Sequence, residues 1–303
     1  MKNRCIFIIL LVFFILMTIT PGILIPATIS GIKLWGTKVV PGLIMGMIFI
    51  EVMNYYMPDL SVYGTILVII SSILCGFPAG ALNCMKYSKS IKSNNLLENI
   101  MPYCNLSSPG FVINYIYVNF LSAQMNVISY ILCIYMPPVI LIIIEYMRGL
   151  KYKGDNKQQN NQSLKDEKKT ANISFFTILN DSIDKMTVSV FKLGGYIIIF
   201  SCLCAYIRHI TYHLPSICMI LCGILEITNG IYLVSDINNY ILKILAILII
   251  NAFGGVSTLM QTAAIIKANI GCNIDLKKYI IKKLKLSLCT ALILCLLMIS
   301  GIV

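Results

Sequence analysis

Long apolar runs, interrupted at a few glycine-containing or polar points, set the pattern of this chain. Five stretches contain no Asp, Glu, Lys or Arg: 5–32, 60–85, 99–144, 244–266 and 286–303. About 20 such residues make a helix that crosses the hydrocarbon of a bilayer. The runs are continuous instead of alternating in short segments, which excludes a β-barrel. After an N-terminal span, apolar segments fall at 39–57, 61–85, 97–122, 125–147, 189–209, 214–233, 238–268 and 283–303. The pattern predicts an all-α polytopic membrane protein of about 8 transmembrane helices, some of them broken or re-entrant.

Composition agrees. The 303 residues are 58% hydrophobic and 12% charged, with a mean hydropathy of +0.85, whereas a soluble domain carries about 25% charged residues. With 24 basic and 12 acidic residues, largely clustered, the chain cannot cover a soluble surface, and soluble enzymes are excluded. The net charge of +12 collects at the ends of apolar segments, where anionic lipid attracts it. It reads as a set of topology signals, with membrane lipid and not nucleic acid as the partner. Lys243 reads as the sole cation well inside the second group of segments. Most of the 12 cysteines, among them Cys75, Cys133, Cys202, Cys204, Cys218, Cys222, Cys289 and Cys295, sit inside apolar runs and are expected to pack as small apolar residues. Lys2 and Arg4 ahead of an overlong apolar run predict an uncleaved first span.

The spacing predicts four units: an N-terminal span over 1–32, a first repeat over 33–147, a basic cytoplasmic linker over 148–173 and a second repeat over 174–303. The linker holds Lys151, Lys153, Lys157, Lys165, Lys168 and Lys169 among Asn and Gln runs, a composition of disorder. Each repeat carries a glycine cluster at membrane depth, which suggests a duplicated architecture; parallel and inverted orientations both stay open. If the linker is cytoplasmic, the basic clusters at Lys86, Lys89 and Lys92 and at Lys277, Lys278, Lys282, Lys283 and Lys285 should lie on the same side. Four full crossings cannot satisfy this in the second repeat. One segment is then re-entrant, and 214–233 is the candidate.

Four interruptions stand out, because in lipid a helix break is tolerated only when buried in protein or lining a watered cavity. The first, Gly76-Phe77-Pro78-Ala79-Gly80, sets a proline between two glycines. The second, Cys104-Asn105-Leu106-Ser107-Ser108-Pro109-Gly110, predicts a half-helix with a serine cap and Pro109 at its first position; free amides there favour anions. The third, Leu225-Glu226-Ile227-Thr228-Asn229-Gly230, carries a carboxylate inside an apolar segment, at a cost of at least about 2–3 kcal/mol unless it has a function or partners. The fourth runs from Phe253 through Gly254, Gly255, Ser257 and Thr258 to Gln261, with Ser257 and Gln261 one helical turn apart. Glu51 lies near a segment end and reads as interfacial. His209 and His213 share an i, i+4 spacing without a third ligand nearby. No nucleophile–base pair, phosphate loop or haem signature occurs, so neither a metal nor another cofactor is expected, nor an enzyme.

Together these clusters resemble the sporulation integral membrane protein YlbJ family, also called SpoVV, of the nucleoside-recognition or Gate-domain group. The pattern Gly-(Tyr/Phe)-Pro-x-Gly-Ala is met by Gly76 to Ala81, and Cys-Asn-x-Ser-x-Pro-x-Phe by Cys104, Asn105, Ser107, Pro109 and Phe111. Leu-Glu-(Ile/Val)-Thr-x-Gly is met by Leu225 to Gly230, and Phe-Gly-Gly-x-Ser-x-x-x-Gln by Phe253 to Gln261. The likeness covers roughly residues 35 to 303, while Leu106 and Leu259 stand where the family pattern is more polar. It implies a Gate architecture like the core of concentrative nucleoside transporters, and export of dipicolinic acid from the mother cell across the outer forespore membrane during sporulation. On that basis the substrate, a small organic dianion, is expected at Asn105, Ser107, Ser108, Thr228, Asn229, Ser257 and Gln261, held by half-helix amides without a buried lysine. Glu226 is expected to bind a coupled cation or proton, since like charges repel. The alternatives are a nucleoside or other neutral-solute transporter, and a non-transporting scaffold for spore assembly. A homo-oligomer or a sporulation membrane partner is compatible with each.

Overall fold

The structure, a computed structural model, describes residues 2–56, 62–90, 95–155 and 174–301. Every regular element among them is a helix. In chain order these are α1 (Lys2–Ile19), α2 (Pro21–Leu34), a π-helical turn (Trp35–Val39), α3 (Val40–Tyr56), α4 (Val62–Cys75), α5 (Ala79–Ser90), α6 (Asn95–Cys104) and α7 (Pro109–Phe111). The last runs on as a π-helical segment (Val112–Leu121), followed by α8 (Val127–Asp155), α9 (Phe175–Ile210), α10 (Pro215–Leu225), α11 (Ile227–Val234), α12 (Tyr240–Phe253), α13 (Gly255–Ile270) and α14 (Leu276–Ile299).

Among the described residues three stretches are long and apolar enough to cross a membrane: Val127–Arg148, Phe175–Ile210 and Tyr240–Ile270. A bent pair, Pro21–Val39 with Leu43–Met53, makes a fourth if counted as one span. Large hydrophobics such as Phe14, Phe49, Phe191, Leu288 and Ile299 cover the outside, as lipid-facing surfaces do. The chain is an integral membrane protein. Segments 61–85, 97–122 and 214–233, each expected to carry an interruption, are divided into helices of 14 residues or fewer, too short to cross alone.

The division is ordered. In the first half α4 and α5 fold back on one another, Asn83 of α5 donating to Ser71 Oγ at 2.9 Å and Ser72 Oγ at 3.1 Å. The broken helix α6–α7 comes next, then the long α8. In the second half α10 and α11 fold back on one another, Gly230 so close to Gly223 that a Cβ on it would lie 2.5 Å from the Gly223 Cα. The broken helix α12–α13 follows, then α14. Each half is thus a hairpin, a broken helix and a long helix, in the same order.

Two boundaries differ from the sequence reading. No helix break falls at 32: the chain breaks at Thr20 and runs helical from Pro21 to Tyr56, with Gly31 against Ile198 and Ser201 of α9. α8 continues past 148, where the sequence reading begins the linker, to Asp155. The rest of the predicted linker, 156–173, lies outside the described residues, as do Met1 and Lys92.

Candidate functional site

All four predicted interruptions are helix breaks, and they meet. Gly76, at φ +75°, ends α4. Pro78 follows a cis peptide from Phe77 and opens α5. The Phe77 amide donates to the Leu106 carbonyl at 2.6 Å, which ties the first break to the second. The fit is close: a Cβ on Gly76 would lie 2.5 Å from the Ser108 nitrogen, and one on Gly80 2.4 Å from the Ser72 carbonyl oxygen and 2.9 Å from that of Cys104. The second half repeats the arrangement. Gly254 and Gly255, at φ +84° and +76°, interrupt α12–α13, and a Cβ on Gly255 would sit 3.0 Å from the Leu225 carbonyl oxygen at the hairpin turn.

Side chains join the two pairs of breaks. Ser107 Oγ donates to Asn251 Oδ1 at 2.6 Å. Asn105 Nδ2 lies 2.9 Å from Thr262 Oγ1 and 2.7 Å from the Tyr279 hydroxyl. All five residues are buried. Asn105 and Ser107 therefore join the halves and do not line the cavity described next, where the sequence reading had expected both among substrate ligands. Their neighbours on the partner helices, Asn251, Thr262 and Tyr279, were not singled out from sequence, because isolated polar residues in apolar runs carry no local signature.

On one side of this joint lies a cavity of about 40 Å³, room for a few water molecules. Its polar lining is Ser108, Glu226, Thr228, Thr258, Gln261 and Lys38, and its apolar walls include Phe77, Phe111, Leu43 and Ile197. Three helix N-termini reach it. Ser108 is the cap of α7, with Pro109 at the first helical position and Ser108 Oγ accepting from the Phe111 amide at 3.4 Å. Glu226 caps α11: its carboxylate accepts from the Thr228 amide at 3.1 Å, the Asn229 amide at 2.8 Å, Asn229 Nδ2 at 2.8 Å and the Thr228 hydroxyl. The N-terminus of α13 has no side-chain cap, leaving its first amides without that competition. Beyond it, Thr258 donates back to the Gly254 carbonyl, and Gln261 Nε2 donates to Ser257 Oγ at 2.9 Å.

The buried carboxylate of Glu226 is thus met by helix-end amides, where carboxylates are stabilised, and has no salt-bridge partner among the described residues. Of the predicted ligands, Ser108, Thr228 and Gln261 line the cavity together with Glu226, while Ser257 and Asn229 stand one hydrogen bond behind. Lys38, on the π-helical turn and exposed, brings a positive charge to the cavity edge; no sequence signal separated it from a snorkelling lysine.

The opposite side of the joint holds a residue the sequence reading misplaced. Lys283, expected in a cytoplasmic basic cluster, is 2% exposed and donates to the Asn105 carbonyl at 2.6 Å. A buried lysine exists after all, and Lys243 is not the sole internal cation of the second half. The signal was present in the pattern: Tyr279, Lys283, Leu286, Ser287, Thr290 and Leu294 form one buried helical stripe through the basic run. Lys282 also turns inward, 3.3 Å from Glu145 of α8. Glu51 pairs with Lys86, bridging α3 and α5. His209 and His213 are exposed at and just beyond the end of α9. The described cysteines are free thiols, most of them buried. No protein-family model, curated protein or solved structure matches the chain, so the family likeness rests on the four motifs.

Proposed function

We propose that this chain is a transporter of a small organic dianion, of the dipicolinic acid type, acting in sporulation to move it from the mother cell across the outer forespore membrane. The observation that carries the reading is the convergence of helix N-termini from both halves, with Lys38 at the edge, on one cavity beside the joint. Helix N-termini attract anions without burying cationic side chains, and broken helices at the interface of two repeats are the usual frame of a midplane transport site. Phe77 and Phe111 supply apolar walls for a planar ring. A Gate-type arrangement of about 8 crossings, counting paired half-helices, extends this reading. At about 40 Å³ the cavity holds water but no dicarboxylate, so transport in this scheme requires the two halves to part on one side at a time.

Glu226 is assigned the coupling role, as the acidic group in the cavity. A second reading, a nucleoside or other hydroxyl-rich solute, is favoured by the same carboxylate, which accepts hydrogen bonds from hydroxyls. Liposomes loaded with terbium and containing the purified chain separate these readings: dipicolinate added outside gives luminescence inside when it is carried. The signal should fall in Ser108→Ala and Gln261→Ala and resist competition by nucleosides. Glu226→Gln should change its dependence on pH or sodium. Absence of a protein-dependent signal, with folded protein in both orientations, would reject the transport reading in favour of a scaffold.

A further inference from the structure

The joint has two opposite electrical ends. Helix N-termini face the cavity, whereas the C-terminal ends of α6 and α12 meet on the other side, at Lys283. Its ammonium lies 2.6 Å from the carbonyl oxygen of Asn105, just past the last residue of α6, and 3.5 Å from that of Ala252, in the last turn of α12. One carbonyl comes from each half of the protein. Helix C-termini carry partial negative charge from carbonyls that lack helical partners, and in membrane transporters such ends are places where small cations are coordinated.

Lys283 is not explained as half of an ion pair. Among the described residues the paired cations are Lys86, Arg148 and Lys282; Lys282, next in sequence, turns away to Glu145 and the Asn99 carbonyl. What faces Lys283 is backbone oxygen and the ring of Tyr279, its centroid 6.0 Å away. A further acceptor stands in the same residue that receives the ammonium: Asn105 Oδ1 is buried with no hydrogen-bond partner. A buried amine held by backbone oxygens from two helix ends and lacking a counter-carboxylate is placed as a cation is placed in its site.

We infer that the meeting point of the α6 and α12 C-termini is a monovalent-cation site whose occupant is the ammonium of Lys283. The chain supplies covalently, at this place, the ion that a protein with a shorter side chain would take from solution. Shortening residue 283 therefore opens the site to sodium or to a small alkylammonium, and filling it with an uncharged chain closes it. This inference concerns the joint and not the cavity, and it does not depend on which solute is carried.

The test uses the full chain in detergent micelles, with thermal unfolding followed by a dye that reports newly exposed thiols. Wild type, Lys283→Ala, Lys283→Met and Lys283→Gln are compared in chloride salts of sodium, methylammonium and N-methylglucamine at equal ionic strength. Lys283→Ala, prepared in methylammonium, should unfold at lower temperature than wild type in N-methylglucamine. It should recover as sodium or methylammonium replaces that ion, the midpoint rising with the logarithm of concentration as binding to the folded state requires. Wild type and Lys283→Met should not respond. A response of Lys283→Ala no larger than that of wild type overturns the inference, and so does an equal response in Lys283→Met. Should Lys283→Ala fail to accumulate, Lys283→Gln decides: it keeps a donor for the Asn105 carbonyl but no charge, so a midpoint below wild type in every salt is expected and one equal to wild type overturns the site. The readout contains no substrate, so its failure would leave the transport proposal untouched, and the reverse.

Discussion

Replacing Gly76 with alanine tests whether close backbone contact between the breaks holds the centre together. Two costs act at this position. Its φ of +75° is left-handed, which costs a residue with a Cβ about 1–2 kcal/mol. The added Cβ would also lie 2.5 Å from the Ser108 nitrogen and 2.8 Å from its Cα. Backbone cannot move aside as a side-chain tip can, so overpacking adds about 1–3 kcal/mol, for a total of about 2–5 kcal/mol. Two glycines separate the contributions. Gly271 has φ +74° with nothing within 4 Å of a Cβ, so Gly271→Ala should show the conformational cost alone, about 1–2 kcal/mol. Gly80, inside the right-handed helix α5, would set its Cβ 2.4 Å from the Ser72 carbonyl oxygen, so Gly80→Ala should show the steric cost alone, about 1–3 kcal/mol. Unfolding free energies from denaturant titration in mixed micelles would rank the three. If Gly76→Ala costs no more than Gly271→Ala, the breaks are not in the contact described and the reasoning fails.

The bond between Ser107 and Asn251, at 2.6 Å across the halves, should show in a double-mutant cycle. Each alanine variant is expected to lose about 1–3 kcal/mol by leaving a buried partner unpaired, and the pair to lose less than the sum by about 0.5–3 kcal/mol; strict additivity would mean that the bond does not form. Lys38→Ala, at an exposed position, should leave stability unchanged while weakening dipicolinate binding about two- to fivefold in calorimetric titration at low salt. The difference should fade as salt rises, and an unchanged affinity at low salt would remove Lys38 from the site.

Much of the centre was legible because helix breaks in lipid need special residues. Gly76, Pro78, Pro109, Gly254 and Gly255 could be found in the sequence, since a proline or a left-handed glycine in an apolar run has few structural uses. The serine cap before Pro109 was legible for the same reason. What the breaks touch was not legible, because the contacts are between residues far apart in sequence: Asn105 with Thr262 and Tyr279, Ser107 with Asn251. Hydropathy alone counts 61–85 and 214–233 as whole segments, because it averages over windows longer than the hairpin arms. The charge topology and the polar interruption mark 214–233 as re-entrant, and the glycines and proline mark the break at Gly76. Lys283 was lost in a different way: charge counting grouped it with Lys277, Lys278 and Lys285, although its position on the buried face of α14 set it apart.

Helix α9 has 36 residues, about 54 Å at 1.5 Å per residue, against about 30 Å of hydrocarbon. Its excess length includes Asp181, Asp184 and Lys185, all exposed. Along its sides it meets α2 and α3 before the first hairpin, and α10 and α13 of the second half. Where α2 and the Trp35 indole lie on it, the contacts are made through Gly31 and Gly194, with the indole nitrogen donating to the Val190 carbonyl at 3.1 Å. At both points a glycine lets its neighbour approach more closely than a Cβ would allow, so a larger residue at 31 or 194 would push α2 or the indole off α9. α9 therefore ties the N-terminal helices α2 and α3 to α10 and α13 of the second half, so a change in how either side packs is felt by the other through this one helix.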